Sequence, residues 1–575
     1  MTFPEPKPRH RLPVLRLPVF FLVVAALFVF TGTAGAQILP RTVEPERFDK
    51  RFEKPVIPKS QPRRPREVPR APQSGDDQAE PEIRFTLRGV ILDGVTAYRP
   101  DELRQVYRRY LNRSVNLKVV QYLADALTAK YRNDGYILSQ VLVPPQKVGR
   151  EGEIRLKVVE GHIETVKFEG PVQGPPKVLK WFRKRILRSR PLNVNVLERF
   201  LLLINDQPGM RARSVLTPSK TNPGTAELTI VLEHKPVDAT LDINNRGSKF
   251  NGPVQFSAGV SVNSMLRLYE RIQMNGIITG ETDELRYFSG SVDLPVTLEG
   301  TRLFASGSVA SSQPGGGLEV FNVDGDSSSF NFQVMHPLLR TRERNLTASL
   351  GFGLINSETT LLGVTTAKDR VRFFRAGLTL DVADRWQGIN IVSVRLTQGL
   401  DILGSRETGS AALSREFGES DFTKLDGELV RYQRIAPNWS LMLSSAWQGS
   451  FDNLLASQEF TAGGPRFLRG YDSSEISGDG GMSLIAELQY THHLDKWYVK
   501  TLQPYLFFDY GAVFHKHELN RTDFFEDLKS AGAGVRVGFV KWVSGYLEVA
   551  QPIDKIVSSE GDRDARVFFG LTARY

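Results

Sequence analysis

The sequence predicts two small α+β modules of β-α-α-β-β order, followed by an all-β region that forms a closed, membrane-spanning antiparallel β-barrel. Three observations lead to this prediction. A β-α-α-β-β pattern recurs after about 73 residues, the helical period disappears after about residue 236, and a secretory signal precedes both regions. The predicted fold class is therefore α+β followed by all-β.

The composition excludes several kinds of site. The chain of 575 residues has no cysteine, which excludes disulfide frameworks, thiolate zinc sites, iron–sulfur clusters and cysteine nucleophiles. The net charge of +10 is a mild excess, and the basic residues of the folded part do not cluster on one helix or stripe. We therefore expect a mixed-charge, solvated surface and no nucleic-acid partner.

Residues 1–36 have the order of a secretory signal peptide. The apolar run Val19–Phe30 is too short for a spanning helix of roughly 20 residues, follows basic residues and precedes a small-residue site ending at Ala36. Residues 37–81 contain nine prolines, which predict an extended linker. Within it, only Pro45–Lys54 could form a short helix, which would be marginal alone.

The first module, residues 82–161, starts with an alternating strand at Ile83–Leu87. Pro100 opens an amphipathic helix, and a second helix ends near Gly135, where the pattern predicts a left-handed C-cap. Two further strands are predicted at Ile137–Val143 and Glu153–Glu160.

The second module, residues 162–235, repeats this order. Each copy of such a small module has its own core and strand edges that must pair, be covered or receive a partner. The predicted strands and helices are Ile163–Phe168, Val178–Arg188, Val194–Asn205, Arg211–Thr217 and Thr225–Leu232.

Residues 236–575 consist of alternating segments of about ten residues, divided by Gly, Asp, Asn and Ser clusters. This pattern is typical of an outer-membrane barrel, whereas a soluble sandwich would have shorter strands at tighter spacing. The last strand ends on an aromatic residue, as in chains that the bacterial barrel-assembly machinery recognises; the alternative is an ordinary terminal strand. Its predicted lipid-facing residues are Val567, Phe569, Leu571, Ala573 and Tyr575, and its other face carries Arg566, Thr572 and Arg574.

Several runs resemble the POTRA-plus-barrel superfamily, and within it the two-partner secretion transporters (TpsB) of the ShlB/FhaC/HecB haemolysin secretion/activation type. The resemblance covers nearly all of residues 83–575, and two modules rather than three or five favour secretion transporters over barrel-assembly insertases. The module residues that carry it are Gly135, Tyr136, Pro144, Pro145, Gln146, Asn205, Asp206, Pro208 and Gly209.

Two barrel motifs carry the resemblance further. The run Phe467-Leu468-Arg469-Gly470-Tyr471-Asp472 resembles the family's VRGY/F signature, with Leu468 where valine is usual, and Phe507, Asp509 and Gly511 match its F-x-D-x-G motif. The resemblance implies that the first motif lies at the tip of a sixth loop that folds into the lumen.

An arginine in a lumen needs a fixed carboxylate, so we expect Arg469 to pair with Asp509. Gly470 would permit a backbone turn, and Tyr471 would wedge against the barrel wall. The alternative is that Arg469 is a solvated loop residue and Asp509 a lumen charge as in a porin.

The sequence offers no catalytic constellation, and we expect neither a metal nor a cofactor. His492-His493 and His515-x-His517 would lie about 30 Å apart, at opposite ends of neighbouring strands, so they cannot share a metal site.

The resemblance implies a 16-stranded barrel in the bacterial outer membrane with POTRA domains in the periplasm. The implied function is export of an unfolded exoprotein of the filamentous haemagglutinin or haemolysin type, received by strand addition and passed through a probably monomeric pore. The implied partners also include outer-membrane lipid and the barrel-assembly machinery. The family's plug helix would be limited here by proline to about ten residues. The alternatives are an insertase of the same superfamily and a solute porin or receptor, with an enzyme least favoured.

Overall fold

The computed structural model describes residues 40–575, except 53–56, 63–83, 149–150, 172–173, 220–221, 223, 495 and 517–523. Among the described residues, no helix is both long and apolar enough to cross a membrane. The predicted signal peptide lies outside them. The described chain starts with two 3-10 turns, Arg41–Val43 and Pro45–Arg47, followed by one helical turn, α1 (Phe48–Arg51). We call Arg41–Arg51 the plug.

The first module packs two helices on a three-stranded sheet. The sheet has the order β2-β5-β4, with β2 and β5 parallel. Asn116 caps the second helix, since its Oδ1 accepts a hydrogen bond from the N–H of Val119 at 3.0 Å. The elements are β1 (Arg84–Leu87), β2 (Gly89–Asp93), α2 (Pro100–Tyr107), β3 (Arg113–Asn116), α3 (Leu117–Asn133), β4 (Gln140–Leu142) and β5 (Glu153–Val159).

Two features of this module differ from the sequence prediction. The described part of the strand predicted at Ile83–Leu87 is β1, Arg84–Leu87, which forms a separate antiparallel pair with β3, while β2 supplies the sheet strand. Both β2 and β3 were missed because strands of four or five residues are too short for a clear alternation. The β-α-α-β-β order of the sheet and its helices remains, with β1 and β3 added.

The second module follows the predicted order without additions. Its sheet has the order β6-β8-β7, and its core contains apolar residues from both helices. The elements are β6 (His162–Glu169), α4 (Pro176–Leu187), α5 (Val194–Asn205), β7 (Met210–Pro218) and β8 (Thr225–His234).

The two modules contact each other through main-chain hydrogen bonds. The N–H of Val194 donates to the carbonyl of Gly135 at 2.7 Å, and the N–H of Leu192 donates to the carbonyl of Gly161 at 2.8 Å. Gly135 has φ +101°, which confirms the predicted left-handed C-cap. Gly135, at the end of the second helix of the first module, therefore also contacts the second module.

Residues 237–574 form a closed antiparallel barrel of 16 strands, in which β27 pairs with β9. The two-residue β23 continues β22, because both pair with β24. The strands are β9 (Val237–Asn244), β10 (Gln255–Asn263), β11 (Arg271–Thr279), β12 (Arg286–Pro295), β13 (Arg302–Ser312), β14 (Val323–Arg340), β15 (Arg344–Leu361), β16 (Val364–Ala383), β17 (Gly388–Gly399), β18 (Thr423–Ala436), β19 (Trp439–Ser450), β22 (Gly480–Tyr490) with β23 (His492–His493), β24 (Thr501–Phe514), β25 (Phe525–Gly538), β26 (Val543–Pro552) and β27 (Arg566–Arg574). A small hairpin, β20 (Phe460–Ala462) and β21 (Ile476–Gly478), lies between β19 and β22.

The last strand shows how the barrel divides its two faces. Phe569, Leu571 and Tyr575 are exposed on the outside, as predicted. On the inside, the hydroxyl of Thr572 donates to Asp242 Oδ2 at 2.7 Å. Exposed apolar side chains therefore face outward, while polar side chains and the buried Phe568 face inward, which is an arrangement that suits a lipid-embedded barrel.

Candidate functional site in the barrel lumen

Residues 451–479, between β19 and β22, fold into the barrel, and we call them the inward loop. At its tip, Arg469 is 5% exposed and meets Asp509 of β24. The main-chain N–H and Nε of Arg469 donate to Asp509 Oδ2 at 2.9 and 3.0 Å, and Nη2 donates to Oδ1 at 2.8 Å. The structure thus brings together the two residues that the sequence analysis paired, in a bidentate geometry.

The other two residues of the F-x-D-x-G motif contact the same loop. The Arg469 guanidinium carbon lies 3.6 Å from the centre of the Phe507 ring, which is a close cation–π contact. A side chain on Gly511 would place its Cβ 2.4 Å from Leu468 Cδ1. The three motif residues are two positions apart along β24 and therefore lie on one face of the strand. This face supplies the aromatic ring, the carboxylate and the space that receive the loop.

Gly470 lies in the backbone turn predicted for it, since the N–H of Tyr471 donates to the carbonyl of Leu468 at 3.0 Å. The left-handed backbone conformation falls on Leu468, with φ +66°, and not on Gly470. Gly470 also allows close packing, which the sequence analysis did not predict: a Cβ there would lie 2.9 Å from Ser530 Cβ and 3.1 Å from the nitrogen of Pro552.

The rest of the motif is anchored near the last two strands. The Tyr471 hydroxyl donates to Asp554 Oδ1 at 3.1 Å, so this residue does wedge against the wall as predicted. Asp472 accepts a hydrogen bond from Arg566 Nη2 at 2.7 Å. Phe467 is buried.

Four charged residues at this site were missed by the sequence analysis. Arg469 Nη1 also donates to Glu487 and lies 3.7 Å from Glu548 Oε2. Arg536 makes two hydrogen bonds to Glu487, at 2.6 and 3.0 Å, and Arg246 donates to Glu548 at 2.6 Å. Together with Asp509, three arginines meet three carboxylates, so the cluster is balanced in charge. Glu487, Arg536 and Glu548 lie on three different strands, Arg246 follows β9, and only the barrel fold brings them together.

The plug lies inside the barrel and touches the inward loop. Arg47 Nη2 donates to Glu459 Oε2 at 2.8 Å, and Ser308 Oγ donates to Asp49 Oδ1 at 2.6 Å. Phe48 is buried in a cluster with Leu285, Tyr287 and Ala310 of the barrel wall. The helical part of the plug is as short as the proline content predicts, yet it contacts both the barrel wall and the inward loop. A cavity of about 1020 Å³ remains between the plug, the inward loop and the wall.

The motif residues of the first module shape its sheet and core. The Gln146 side chain accepts a hydrogen bond from the N–H of Arg155 at 2.7 Å and donates to its carbonyl at 2.8 Å, so it extends the edge beside β5. The Tyr136 ring packs edge-on to Tyr98 and Tyr131. Pro144 and Pro145 lie in the segment between β4 and Gln146.

The motif residues of the second module lie at the end of α5. Asn205 Oδ1 accepts a hydrogen bond from the N–H of Ala212 at 2.7 Å. Gly209, after the buried Pro208, has φ +70°. Asp206 receives two hydrogen bonds from Arg340 of the barrel, at 2.7 and 3.0 Å. Burial raises the pKa of the Asp206 carboxyl, but these hydrogen bonds and the nearby Lys59 outweigh it, so the pKa is below its usual range.

The histidines do not form a metal site among the described residues, where no group of three or more His, Asp or Glu side chains is arranged to hold a metal ion. His492 and His493 are exposed at one end of the barrel strands, and His515 is buried beyond the other end of β24. His517 lies outside the described residues.

Comparison with known proteins decides the family. The sequence profile of the haemolysin secretion/activation proteins ShlB/FhaC/HecB matches residues 226–537, more than half of the chain. The chain belongs to this family. The profile of the ShlB-type POTRA domain matches residues 85–161 of this ShlB-type protein.

Relatives and solved structures agree with this assignment. The ShlB-type chain is 23% identical to "Heme/hemopexin transporter protein HuxB" of Haemophilus influenzae (strain 86-028NP), over 84% of this chain and 86% of that protein. It is 24% identical to "Hemolysin transporter protein HpmB" of Proteus mirabilis, over 76% of each. CdiB from Escherichia coli has a similar fold, with a TM-score of 0.70 at 20% identity over 88% of this chain and 93% of that one. CdiB from Acinetobacter baumannii gives a TM-score of 0.60 at 14% identity, over 89% and 95%.

This ShlB-type protein is therefore an outer-membrane transporter that secretes an exoprotein by two-partner secretion. Its N-terminal modules are POTRA domains and lie in the periplasm. The barrel end next to them is consequently the periplasmic end, and the inward loop is the sixth loop of the opposite, extracellular end. The family is one of transporters, which are not enzymes in general.

Proposed function

We propose that the second POTRA domain receives the unfolded exoprotein at the free edge of β7, and that the exoprotein then passes the lumen after the plug leaves it and the inward loop shifts. The functional units are the linker with its plug (37–81), the two POTRA domains (82–161 and 162–235) and the barrel (236–575). The observation that carries this proposal is the plug, which is docked inside a closed barrel and fills part of its lumen.

The free edge of β7 suits strand addition. Within the part of the chain that the structure describes, β7 is paired on one side only, with β8. The outward main-chain groups of Met210 and Ala212 are satisfied by Gln207 and Asn205. Among the described residues, those of Ser214 and Leu216 have no partner. This edge thus offers main-chain donors and acceptors to an extended chain, without demanding a particular sequence.

Opening the lumen requires the plug contacts to break. The plug rests on the buried Val43 and Phe48, on the Asp49–Ser308 hydrogen bond and on the buried ion pair Arg47–Glu459. The hydrogen bond to Ser308 can be exchanged for water at low net cost, whereas separation of Arg47 from Glu459 requires other partners for both charges. One hydrogen bond joins Arg47 to Glu459 but three join Arg469 to Asp509, so we propose that the inward loop moves after the plug.

The outer surface fits the proposed lipid and assembly partners. Four of the six tryptophans lie near periplasmic strand ends and are exposed, namely Trp386, Trp439, Trp497 and Trp542. Aromatic residues at this level are typical of the membrane interface. We propose that this protein functions as a single pore in lipid, delivered by the barrel-assembly machinery through its C-terminal strand.

A disulfide lock tests the role of the plug. The chain has no cysteine, so an Asp49→Cys/Ser308→Cys double variant introduces one defined pair at side chains that are 2.6 Å apart. We expect the oxidised variant to lose secretion of its exoprotein in intact cells, and reductant to restore it. The matched control is Ser308→Cys/Ser329→Cys, which joins neighbouring strands whose hydroxyl oxygens are 2.8 Å apart and leaves the plug free.

Secretion by the control should not depend on the redox state. If the oxidised plug lock secretes as well as the reduced one, the plug does not need to leave the lumen, and this part of the proposal is wrong. Loss of secretion in both variants would instead show that the wall itself must deform.

A further inference from the structure

Three buried polar residues form a row at the periplasmic ends of neighbouring strands. Arg340 of β14 is paired in register with Asn345 of β15, and Asn345 with Asp381 of β16. Their exposed fractions are 5%, 5% and 7%. Arg340 Nη1 donates to Asn345 Oδ1 at 2.7 Å, and Asn345 Nδ2 donates to Asp381 Oδ2 at 3.4 Å. We call these residues the rim row.

One end of the rim row holds the linker that follows the plug. Asp381 Oδ2 accepts hydrogen bonds from the N–H groups of Lys59 and Ser60 at 2.6 and 2.9 Å, and its other oxygen accepts from the Ser60 hydroxyl. The N–H of Gln61 donates to the carbonyl of Arg342 at 2.8 Å. Ser60 is 3% exposed. A carboxylate that accepts three hydrogen bonds from one short segment fixes where that segment leaves the barrel.

The other end of the rim row holds the second POTRA domain. Arg340 donates hydrogen bonds from Nε and Nη2 to the Asp206 carboxylate, and Arg302 Nη1 donates to the Asp206 carbonyl at 3.1 Å. Lys59 Nζ lies 3.5 Å from Asp206 Oδ1. An unbroken series of contacts therefore joins the POTRA domain to the chain segment behind the plug.

Arg340 binds the carboxylate of Asp206, and a second carboxylate, that of Asp381, lies two strands away in the rim row. It is buried, and a buried guanidinium that loses its carboxylate is strongly disfavoured unless it finds another. If Asp206 moved away, Arg340 could turn to the other carboxylate of the rim row, which is that of Asp381 on the far side of Asn345. Arg340 bound to Asp381 would compete with the linker, whose N–H groups now occupy that carboxylate.

We propose that the rim row is a latch through which the second POTRA domain controls the plug. Displacement of that domain by an incoming exoprotein moves Asp206, Arg340 turns to Asp381, and Lys59 and Ser60 are released together with the plug. This inference rests on the proposed function, in which the plug must leave the lumen. Asp206, Arg340 and Asp381 are positioning residues, since none of them needs to touch the exoprotein.

The test measures plug seating without any exoprotein. The full-length Asp49→Cys/Ser308→Cys protein, reconstituted reduced in lipid vesicles, is oxidised, and the rate of disulfide formation reports how often the plug is seated. Asp381→Asn and Asp206→Asn are each added to this background. The matched control is Glu299→Gln, which removes a second ionic contact of the same POTRA domain, with Arg199 at 3.3 Å and Arg185 at 3.6 Å, without touching the linker.

We expect Asp381→Asn and Asp206→Asn each to raise the ratio of unseated to seated plug about tenfold, as loss of charge-assisted hydrogen bonds predicts. Disulfide formation should then be slower in both, and the double variant should be no slower than Asp381→Asn alone, because the two residues act in one series. Glu299→Gln should leave the rate unchanged. Migration as a folded barrel in unheated gels confirms assembly of each variant.

The latch is refuted if Asp206→Asn leaves the rate unchanged, or if Glu299→Gln slows it equally, since docking of the domain alone would then control the plug. These outcomes are independent of the proposed function. If the locked but otherwise unchanged transporter still secretes, the proposed function fails whatever the cross-linking rates of the rim-row variants.

Discussion

At the scale of single residues, the lumen site depends on the absence of a side chain at Gly511 as much as on charged side chains. Leu468 is fully buried in a left-handed conformation and fills the space left by Gly511. This packing places the neighbouring Arg469 beside Asp509, with which it forms three hydrogen bonds. The glycine of the F-x-D-x-G motif is therefore as much a part of the site as its aspartate.

A Gly511→Ala variant tests this packing. Its Cβ would lie 2.4 Å from Leu468 Cδ1, so we expect the tip of the inward loop to be displaced and to become accessible to extracellular protease. Leu468→Ala added to it should restore protection, because it removes the clashing carbon. Gly449→Ala is the control, since nothing lies within 4 Å of a Cβ at that position of β19. Protection of the loop in Gly511→Ala alone would contradict this account.

At the scale of elements, the two POTRA domains present different edges. In the first, β4 has three residues, and the Gln146 side chain covers the adjoining edge of β5. In the second, β7 has nine residues, and only its first part is covered, by Gln207 and Asn205. A long and partly uncovered edge is what an extended partner chain can use.

Site-specific photo-cross-linking tests the β7 edge. A photoreactive amino acid in place of Ser214 should cross-link to the exoprotein, because it lies in the uncovered part of β7. The same amino acid in place of the exposed Lys184 of α4 should give at most background labelling. Equal labelling at the two positions would argue against strand addition at β7.

At the scale of the whole molecule, the barrel combines a lipid-facing surface with a polar interior although the mean hydropathy of the chain is only −0.25. The two surfaces alternate residue by residue. On β24, Leu506 and Phe508 are exposed on the outside, while Phe507 and Asp509 are buried inside. One strand can thus meet lipid and hold a charged network at once.

Arginine substitutions at two neighbouring positions of β11 should distinguish the lipid-facing surface from the lumen surface. Met274 is 67% exposed on the lipid side, so Met274→Arg should destabilise the barrel by about 2–4 kcal/mol. Gln273 lines the lumen, and Gln273→Arg should have a much smaller effect. Denaturant titration of the two variants in lipid vesicles measures both. Equal destabilisation by Met274→Arg and Gln273→Arg would show that residue 273 has no more access to water than the lipid-facing surface.

Much of the site could be predicted from local patterns. The C-cap at Gly135 follows from the local pattern, and the motif around Arg469 with its partner Asp509 follows from short runs that resemble the family's motifs. Glu487, Arg536 and Glu548 could not be found in this way, because no spacing along the chain relates them. The close packing of Gly470 could not be predicted either, because it depends on Ser530 and Pro552, which lie far from it in the chain.

The sequence by itself determined the order of the elements, the repeat of the POTRA domain and the alternation that makes a barrel, because periodicity and turn chemistry act between residues close in the chain. Tertiary structure alone decided strand register, the docking of the plug against the inward loop, and the rim row that joins Asp206 to Ser60. These depend on contacts between residues far apart in sequence, and a shift of one residue in register would turn each side chain to the opposite face.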